Sequence, residues 1–436
     1  MYLPLGEMIY GEFNMQKINT KSTTSLKDLS YPMQLKLFDN VQFIYELALA
    51  ELEMGALGIE FKVADNLRVF DCKSSGETNY LKNRLAYFEE VDGKITDYAR
   101  IVSYNRTRSP NQYLTHWVYP YKGKYHPQMI RALLNVIEAK KGDLILDPFI
   151  GSGTTSLECQ LLGIDCLGID VSQVCVLVTK VKTESMEVIE EIEELKDSMV
   201  EEHHEITLHS FDEGKVSKQG GLGKVIDSIK NEKVRNFYKV AELIAHSDRS
   251  RRRKKDFYRS FRENMEKMLS STKDFKKMVE ELNLPLGNVE TKIGDARNLK
   301  MKNESVDGII TSPPYSIALD YVKNDAHALE ALGYDLERVR EDFIGVRGTG
   351  KKKIELYNKD MEESYDEMYR VLKDGRYCVI VIGNATLQGN EVRTVDKTIE
   401  YCQKIGFKLE KNMDKIIFGL YNVIQKENIL IFSKGK

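Results

Sequence analysis

Residues 144–170 read LILDPFIGSGTTSLECQLLGIDCLGID, and this stretch decides the fold. Two short apolar runs within it, Leu144–Leu146 and Cys166–Ile169, predict buried strands. Between them, the turn Gly151-Ser152-Gly153 leads into a helical stretch, and the second run ends in the acid Asp170. The order of strand, glycine-rich turn, helix, and strand with a terminal acid predicts half of a doubly wound α/β sheet.

The strand pattern resumes near the C-terminal half of the chain. Apolar runs that read as strands lie at Val289–Ile293, Val306–Thr311, Tyr377–Ile382 and Asn428–Phe432. We therefore expect one α/β core assembled from residues 115–183 and 287–436.

Two segments lie outside this pattern. Residues 184–286 are charged and read mostly as helix, which predicts a mainly helical insertion between the two halves of the core. Residues 1–114 form an N-terminal extension to which the pattern assigns no role. Within it, residues 35–57 look helical, because apolar side chains recur there at helical spacing.

Composition excludes several classes of protein. The chain has 436 residues, with 64 lysines and arginines against 67 aspartates and glutamates, so a strongly basic nucleic-acid coat protein is excluded. The best candidate for a membrane span, residues 43–61, is interrupted by four glutamates. Six scattered cysteines without a CxxC pair favour reduced thiols. With no secretory signal in view, these features predict a cytoplasmic protein without membrane contact.

The glycine-rich turn has the chemistry of a nucleoside site. Glycines after a strand let the backbone approach a ligand closely, and Asp170, 19 residues after Gly151, can accept hydrogen bonds from ribose hydroxyls. The turn lacks the lysine of a P-loop and lacks GxGxxG, and Asp147 would repel a pyrophosphate. Asp147 would suit a cationic amino acid, so S-adenosylmethionine fits. The alternative is a tight turn with no ligand.

A second motif, Thr311-Ser312-Pro313-Pro314-Tyr315, follows the run Val306–Ile310. Two prolines end a strand and stiffen the backbone at the edge of the sheet where ligands bind. We expect the Ser312 hydroxyl and the Pro313 carbonyl to accept the two N–H groups of a flat exocyclic amine, with Tyr315 stacked on the ring. Holding both N–H groups of the amine in this way would favour direct methyl transfer to its nitrogen. The alternative is a proline-stiffened loop beside a buried tyrosine.

Together the two motifs resemble those of the amino-methylating DNA methyltransferases, which act on adenine N6 or cytosine N4. Residues 147–155 match their DPFxGSGTT cofactor motif, and residues 312–315 match their catalytic motif. With serine at its first position, the catalytic motif is similar to that of the cytosine-N4 subgroup. The resemblance implies a Rossmann-like methyltransferase core, S-adenosylmethionine as cofactor, double-stranded DNA as substrate and a restriction–modification setting with a possible cognate endonuclease. It also makes the insertion at residues 184–286 a candidate DNA-recognition region.

The resemblance also assigns roles to individual residues. It implies that His126 belongs to an element near the cofactor and that Asp295 reaches the adenine amino group of the cofactor. The implied cofactor-binding residues are His126, Asp147, Phe149, Gly151, Ser152, Gly153, Thr154, Asp170 and Asp295. The implied catalytic residues are Ser312, Pro313, Pro314 and Tyr315.

Other side chains allow two interpretations. A basic run could contact DNA phosphates or form a solvated face; it comprises Arg249, Arg251, Arg252, Arg253, Lys254 and Lys255. Tyr119 and Tyr121 could line the cofactor pocket or pack within a loop, and Asp320 and Tyr321 could shape the base pocket, although Asp320 could instead cap a helix. Histidines at 203, 204 and 209 lack metal-site partners, so no metal is predicted.

The sequence thus predicts a DNA methyltransferase that modifies cytosine N4. Three alternatives stay open: an adenine-N6 DNA methyltransferase, an RNA enzyme that methylates a guanine amine, and an inactive module that binds nucleic acid.

Overall fold

A computed structural model describes residues 32–64, 67–74, 76–105, 111–199, 219–252, 256–315, 319–387, 390–416 and 426–435. The strands are β1 Met33–Leu37, β2 Ile59–Val63, β3 Val69–Ser74, β4 Phe88–Val91, β5 Lys94–Ile95, β6 Leu144–Asp147, β7 Asp165–Asp170, β8 Val289–Ile293, β9 Val306–Thr311, β10 Leu372–Gly383, β11 Ala385–Leu387, β12 Asn390–Val392, β13 Phe407–Ile416 and β14 Lys426–Lys434.

The α-helices are α1 Ile44–Ala56, α2 Thr78–Arg84, α3 Asp97–Ser103, α4 Pro127–Val136, α5 Thr154–Leu161, α6 Gln173–Glu184, α7 Gln219–Ser228, α8 Glu232–Ser247, α9 Phe257–Leu282, α10 Tyr321–Ala331, α11 Leu336–Asp342, α12 Gly350–Val371 and α13 Thr394–Lys404. A 3₁₀ turn, Ser185–Val188, extends α6, residues 189–199 continue as helix, and a π-helical turn, Asp248–Arg252, follows α8.

A seven-stranded sheet forms the centre of the molecule, in the order β13-β14-β10-β9-β6-β7-β8. The five strands from β10 to β8 run parallel, whereas β14 is antiparallel to both β10 and β13. The direction of strand progression reverses between β6 and β9, and ligands of doubly wound sheets bind at such a point. The predicted Rossmann-like α/β core is confirmed.

Close packing at the central strands explains their composition. Every residue of β9 is buried, as expected for a parallel strand covered on both faces. In β7, a Cβ atom on Gly168 would lie 1.9 Å from Ile150, so the turn after β6 can pack directly on β7 only where a side chain is missing.

The expected helix over residues 35–57 is wrong at its beginning. Met33–Leu37 is a strand whose residues alternate between buried and partly exposed positions, and the helix spans only Ile44–Ala56. The period of two in β1 covers just five residues, so the longer helical pattern that follows it dominates the sequence signal. After α1, Gly58 has a φ of 68° and turns the chain into β2.

The N-terminal strands make a second, antiparallel sheet in the order β2-β3-β1-β4-β5. This sheet shares one continuous apolar cluster with α4 and the central sheet, including Leu35, Leu133 and Val379. Polar contacts join the same parts, because the buried Glu53 carboxylate accepts hydrogen bonds from the Tyr87 backbone N–H (2.9 Å) and the Asn135 amide (2.9 Å). The described residues between 32 and 103 therefore pack against the core.

The described residues of the segment 184–286 form helices and no strand. Its long helices α8 and α9 share an apolar cluster with α6 and α10 of the core. The Trp117 indole N–H also donates to Ser271 Oγ at 2.8 Å, which links the core to α9. The helical segment therefore packs against the core through α6, α10 and Trp117.

Two further observations concern the whole described chain. None of the helices in these residues combines the length and the apolar character that crossing a bilayer requires. All six cysteines fall within the described residues, and each is buried and outside any disulfide.

Candidate active site

A cleft opens at the carboxyl ends of β6, β7 and β9, where the strand order reverses. About 840 Å³ of empty space lies in it, a figure that includes its open mouth. Eight of the residues predicted from the two motifs line it: Phe149, Gly151, Ser152, Thr154, Asp170, Asp295, Ser312 and Pro314. The two motifs, far apart in sequence, thus share one cavity.

Asp147, at the tip of β6, joins the two motifs directly. Its fully buried carboxylate accepts a hydrogen bond from the Thr311 hydroxyl at 2.7 Å, and Thr311 immediately precedes Ser312 on β9. The Phe149 N–H (3.2 Å) and the Tyr125 hydroxyl (3.2 Å) also donate to it. Burial raises the Asp147 pKa. Asp147 is therefore placed beneath the cleft, where it ties the adjacent strand tips together.

The glycine-rich turn is shaped by close approaches that require glycine. Gly153 has a φ of 73°, and a Cβ there would lie 2.5 Å from Thr179 Oγ1. Gly151 has a φ of 48°, and a Cβ there would lie 3.2 Å from the Tyr121 ring, which lines the cleft. The turn therefore exposes bare backbone to the cavity, as a site for a closely held ligand needs.

Asp170 lies at the tip of β7 and lines the cleft. Its carboxylate accepts hydrogen bonds from the backbone N–H groups of Gly151 (3.0 Å) and Ser172 (2.9 Å). Burial raises the Asp170 pKa to about 6, and those two hydrogen bonds oppose the shift. The carboxylate is positioned to accept hydrogen bonds from a diol, as the sequence predicts for a ribose.

Two lysines lie under the same turn. Lys124 lines the cleft and donates to the His116 carbonyl, and Lys182 is buried and donates to the Ser152 carbonyl at 2.6 Å. Burial lowers the Lys124 pKa to about 7 and moves the Lys182 pKa in the same direction. Among the described residues, neither lysine has a carboxylate within ion-pair distance, so the site favours a ligand that brings its own anionic group.

These features together fit S-adenosylmethionine. The diol of its ribose matches Asp170, its carboxylate matches the Lys124 ammonium, and the side-chain-free Gly151 leaves room for close contact. Asp295 also lines the cleft, but its carboxylate is held in a bidentate pair by Arg297, which in turn contacts Asp360 at 3.0 Å. Its contact with the cofactor adenine stays a prediction.

The catalytic motif places its side chains at different depths. Ser312 and Pro314 line the cleft, whereas Pro313 and Tyr315 are buried behind it. The Tyr315 side chain is 4% exposed, and its hydroxyl accepts from Ser312 Oγ (2.9 Å) and donates to Glu427 Oε1 (2.9 Å). The stacking role of Tyr315 stays a prediction, because its ring lies behind the cleft wall in this arrangement.

Two tyrosines outside the motifs do line the cleft. The rings of Tyr121 and Tyr321 face each other, with centroids 6.4 Å apart and planes 24° apart. Tyr119 is buried and donates to Asp325 at 3.0 Å, and Asp320 caps α10 by accepting from the Lys323 N–H at 2.9 Å. Of Tyr119 and Tyr121, only Tyr121 lines the cleft, and of Asp320 and Tyr321, only Tyr321 lines it. Tyr119 and Asp320 make structural hydrogen bonds instead.

Sequence reasoning missed several cleft residues. They are Lys124, Tyr125, Asp325, Phe343 and Ile344. Lys124 and Tyr125 directly precede His126-Pro127, so that element could have indicated them. The loop that carries Phe343 and Ile344 contains no motif.

Two predicted sites lie away from the cleft wall. His126 occupies the N-cap position of α4 without a capping hydrogen bond from its side chain, and burial lowers its pKa to about 4. In the basic run, Arg249 is exposed on the π-helical turn, which also holds Arg251 and Arg252 in its backbone. Arg253, Lys254 and Lys255 lie outside the described residues. The roles of His126 and of the basic run stay predictions.

A family model described as DNA methylase, covering N6 and N4 methyltransferases, matches residues 62–180 and 306–436. The match covers more than half of the chain and includes both motifs. The chain belongs to the amino-methylating DNA methyltransferases. S-adenosylmethionine is accordingly its cofactor. The match begins inside the N-terminal sheet and omits residues 181–305, which contain the helical segment.

Curated relatives include Type II methyltransferases. The chain is 26% identical to the Type II methyltransferase M.BsoBI of Geobacillus stearothermophilus, over 72% of this chain and 70% of the relative. It is 24% identical to M.MvaI of Kocuria varians, over 52% of this chain and 58% of that protein. A shorter match, 38% identical, covers 12% of this chain and 15% of a tRNA (guanine(10)-N2)-dimethyltransferase of Methanocaldococcus jannaschii.

Solved structures match more loosely. A SAM-dependent methyltransferase from Methanosarcina mazei is 12% identical, covers 68% of this chain and 94% of that one, and has a TM-score of 0.30. A Thermus thermophilus protein solved with S-adenosyl-L-methionine is 20% identical over 33% of this chain and 52% of that one, with a TM-score of 0.22. These are partial overlaps, so the fold assignment rests on the sheet order described above.

Proposed function

We propose that this DNA methyltransferase transfers a methyl group to the exocyclic N4 amine of cytosine in a specific double-stranded sequence. The observation that carries the proposal is the shared cleft, in which Gly151 and Ser312 line one cavity beneath which Asp147 and Thr311 join the strand tips. A donor held by the first motif and a base held by the second would meet there.

Different residues bind the cofactor and position the target amine. Asp170 accepts hydrogen bonds from the ribose hydroxyls, and the Lys124 ammonium pairs with the carboxylate of the cofactor. Bound there, S-adenosylmethionine supplies an electrophilic sulfonium methyl group. Ser312 accepts an N–H of the target amine and holds the nitrogen toward the cofactor side of the cleft, so that positioning provides most of the acceleration.

The target base must leave the duplex to reach this cleft. The rings of Tyr121 and Tyr321 line the cavity, and aromatic stacking offsets the cost of extrusion by roughly 1–3 kcal/mol per base. We propose these two rings as the surfaces that receive the base.

The choice of cytosine N4 rests on the serine that begins the Ser312-Pro313-Pro314-Tyr315 motif, which is similar to that of the N4 subgroup. The relatives named above as Type II methyltransferases support a restriction–modification setting with a cognate endonuclease. We place the protein in the cytoplasm, and we propose that the exposed Arg249 and its basic neighbours contact DNA phosphates.

The test is methylation of plasmid DNA with labelled S-adenosylmethionine, followed by digestion to nucleosides and mass spectrometry. N4-methylcytosine supports the proposal, and N6-methyladenine alone would replace it with the adenine alternative. A protein that binds DNA and transfers no methyl group would be the inactive module.

A second candidate function is methylation of a guanine amine in RNA. The short match to a tRNA guanine dimethyltransferase favours it. Parallel reactions with tRNA and with duplex DNA distinguish the two: label in tRNA alone would establish the RNA enzyme.

A further inference from the structure

A buried ion pair lies directly behind the catalytic motif. Lys415 on β13 and Glu427 on β14 are opposite each other in the antiparallel ladder, and Lys415 Nζ contacts Glu427 Oε2. The two side chains are 8% and 9% exposed. Removing two charges from water is costly, and an apolar pair would fill the same space more cheaply, so the structure needs another reason for a carboxylate at this position.

The second oxygen of Glu427 points at the motif. Tyr315 donates its hydroxyl to Glu427 Oε1 at 2.9 Å, and Ser312 Oγ lies 2.9 Å from the same tyrosine hydroxyl. Ser312 lines the cleft, so a three-member chain of hydrogen bonds runs from the cleft wall to the buried ion pair. The loop after β9 carries two of the members, Ser312 and Tyr315, and β14 carries the third.

The charge of Glu427 sets the direction of every hydrogen bond in this chain. An ionised carboxylate can only accept, so the Tyr315 O–H must point toward Glu427. The tyrosine oxygen is then left as an acceptor, and the Ser312 O–H donates to it. With its proton turned inward, Ser312 Oγ presents lone pairs to the cleft, which is the state that can accept an N–H from an amine.

We propose that Glu427, held ionised by Lys415, is a positioning residue that turns the Ser312 hydroxyl into a hydrogen-bond acceptor for the target amine. The inference rests on the proposed function, because it needs an amine in the cleft. Glu427 lies outside both sequence motifs and acts through Tyr315 rather than on the substrate. The same selection would work for cytosine or adenine, since both present an exocyclic N–H.

A Glu427→Gln substitution should reverse the direction of the hydrogen bonds that join residue 427, Tyr315 and Ser312. The Lys415 ammonium attracts the amide oxygen of the new side chain, which turns the amide NH₂ group toward Tyr315. The tyrosine hydroxyl must then donate toward Ser312, and the serine proton is turned into the cleft against the incoming N–H. We expect kcat to fall about 10- to 100-fold, the scale of a misplaced catalytic contact, with KM for DNA and Kd for S-adenosylmethionine within about twofold of wild type.

The matched control is Glu410→Gln. Glu410 lies on the same strand as Lys415, accepts from Ser433 Oγ at 2.7 Å and is remote from the motif, so kcat should stay at the wild-type value. Thermal unfolding and calorimetric titration with S-adenosylmethionine show whether each variant is folded.

A double-mutant cycle with Tyr315→Phe separates positioning from a structural role. Phenylalanine removes the middle hydroxyl and leaves the ion pair in place, so the Glu427→Gln substitution should cause no further loss of kcat in that background. The Tyr315→Phe variant also carries the test by itself where Glu427→Gln does not fold, since its kcat must fall to a similar extent.

The outcomes are distinct. Wild-type kcat in either single variant overturns the inference and leaves the proposed function intact. Additive losses in the cycle also overturn it, because Glu427 would then act independently of Tyr315. A wild-type protein that methylates no nucleic acid overturns both the function and the inference.

Discussion

The two halves of the cleft are built differently. On the β6–β7 side, most of the predicted residues line the cavity, with the bare turn around Gly151 and the carboxylate of Asp170 in its wall. On the β9 side, only Ser312 and Pro314 reach the wall, and the side chains that orient them lie behind it, on the C-terminal hairpin. The cofactor half is therefore a local structure, and the base half depends on distant segments.

The difference follows from how far apart in sequence the residues of each half lie. The turn after β6 and the tip of β7 lie within 27 residues of one another, so short-range sequence specifies their geometry. The loop after β9 is supported by Glu427 and by Tyr357, whose hydroxyl donates to the Pro314 carbonyl at 2.9 Å. These supports reach the loop only after the sheet has assembled. Substitutions in the two halves should therefore affect different steps of the reaction.

The largest expected effect comes from Ser312→Ala. Loss of the hydroxyl removes a contact made to the reacting amine, and kcat should fall about 100-fold or more, while Kd for S-adenosylmethionine stays unchanged. Single-turnover transfer and calorimetry measure the two quantities. Ser305→Ala, which alters the amino end of the same strand, is the control. A parallel loss of cofactor affinity would contradict the division into two halves.

A smaller effect, on binding alone, is expected for Asp170→Asn. A hydrogen bond to a charged group contributes roughly 1.5–3 kcal/mol, so Kd for S-adenosylmethionine should rise about 10-fold or more, with kcat at saturation nearly unchanged. Asp165→Asn, at the amino end of the same strand, is the matched control.

The same residue predicts a pH dependence of cofactor binding. The Asp170 pKa is raised to about 6 by burial, and hydrogen bonds from ribose hydroxyls favour the ionised form. Wild-type affinity should therefore fall as the pH drops through 6, whereas the Asp170→Asn variant should lack this step. The Lys124 ammonium, with a pKa of about 7, adds a step of opposite sign near pH 7 that both proteins share. Calorimetric titrations from pH 8 to pH 5 test it, and an identical step in the variant would assign the effect to another group.

The smallest effect is expected at the glycine turn. Gly153→Ala forces a left-handed residue with a side chain, which costs roughly 1–2 kcal/mol, and also brings the new Cβ against Thr179. We expect lower thermal stability and cofactor affinity reduced about fivefold. Gly142→Ala has the same strain at a φ of 88° but open space around it, so it should lower stability and leave affinity unchanged.

Much of the fold could be predicted from short patterns. The apolar runs at Leu144–Leu146 and Val306–Thr311 are buried parallel strands, and an apolar run is a reliable signal where both faces of a strand are covered. The strand β1 could not be predicted, since five alternating residues beside a long amphipathic helix carry too little signal. The closing strand β13 was also missed, because its exposed face mixes charged and apolar residues.

The sequence by itself determined the chemistry of the site: a turn without side chains, an acid at a strand tip and a serine before two prolines are local arrangements of a few residues. Tertiary structure alone decided which of them line the cleft and which lie behind it. Asp147, predicted to bind the cofactor, accepts a hydrogen bond from Thr311 beneath the cleft, and Tyr315 lies between Ser312 and Glu427. The physical reason is that a hydrogen-bond partner far along the chain is set by packing of the sheet, which no local pattern encodes.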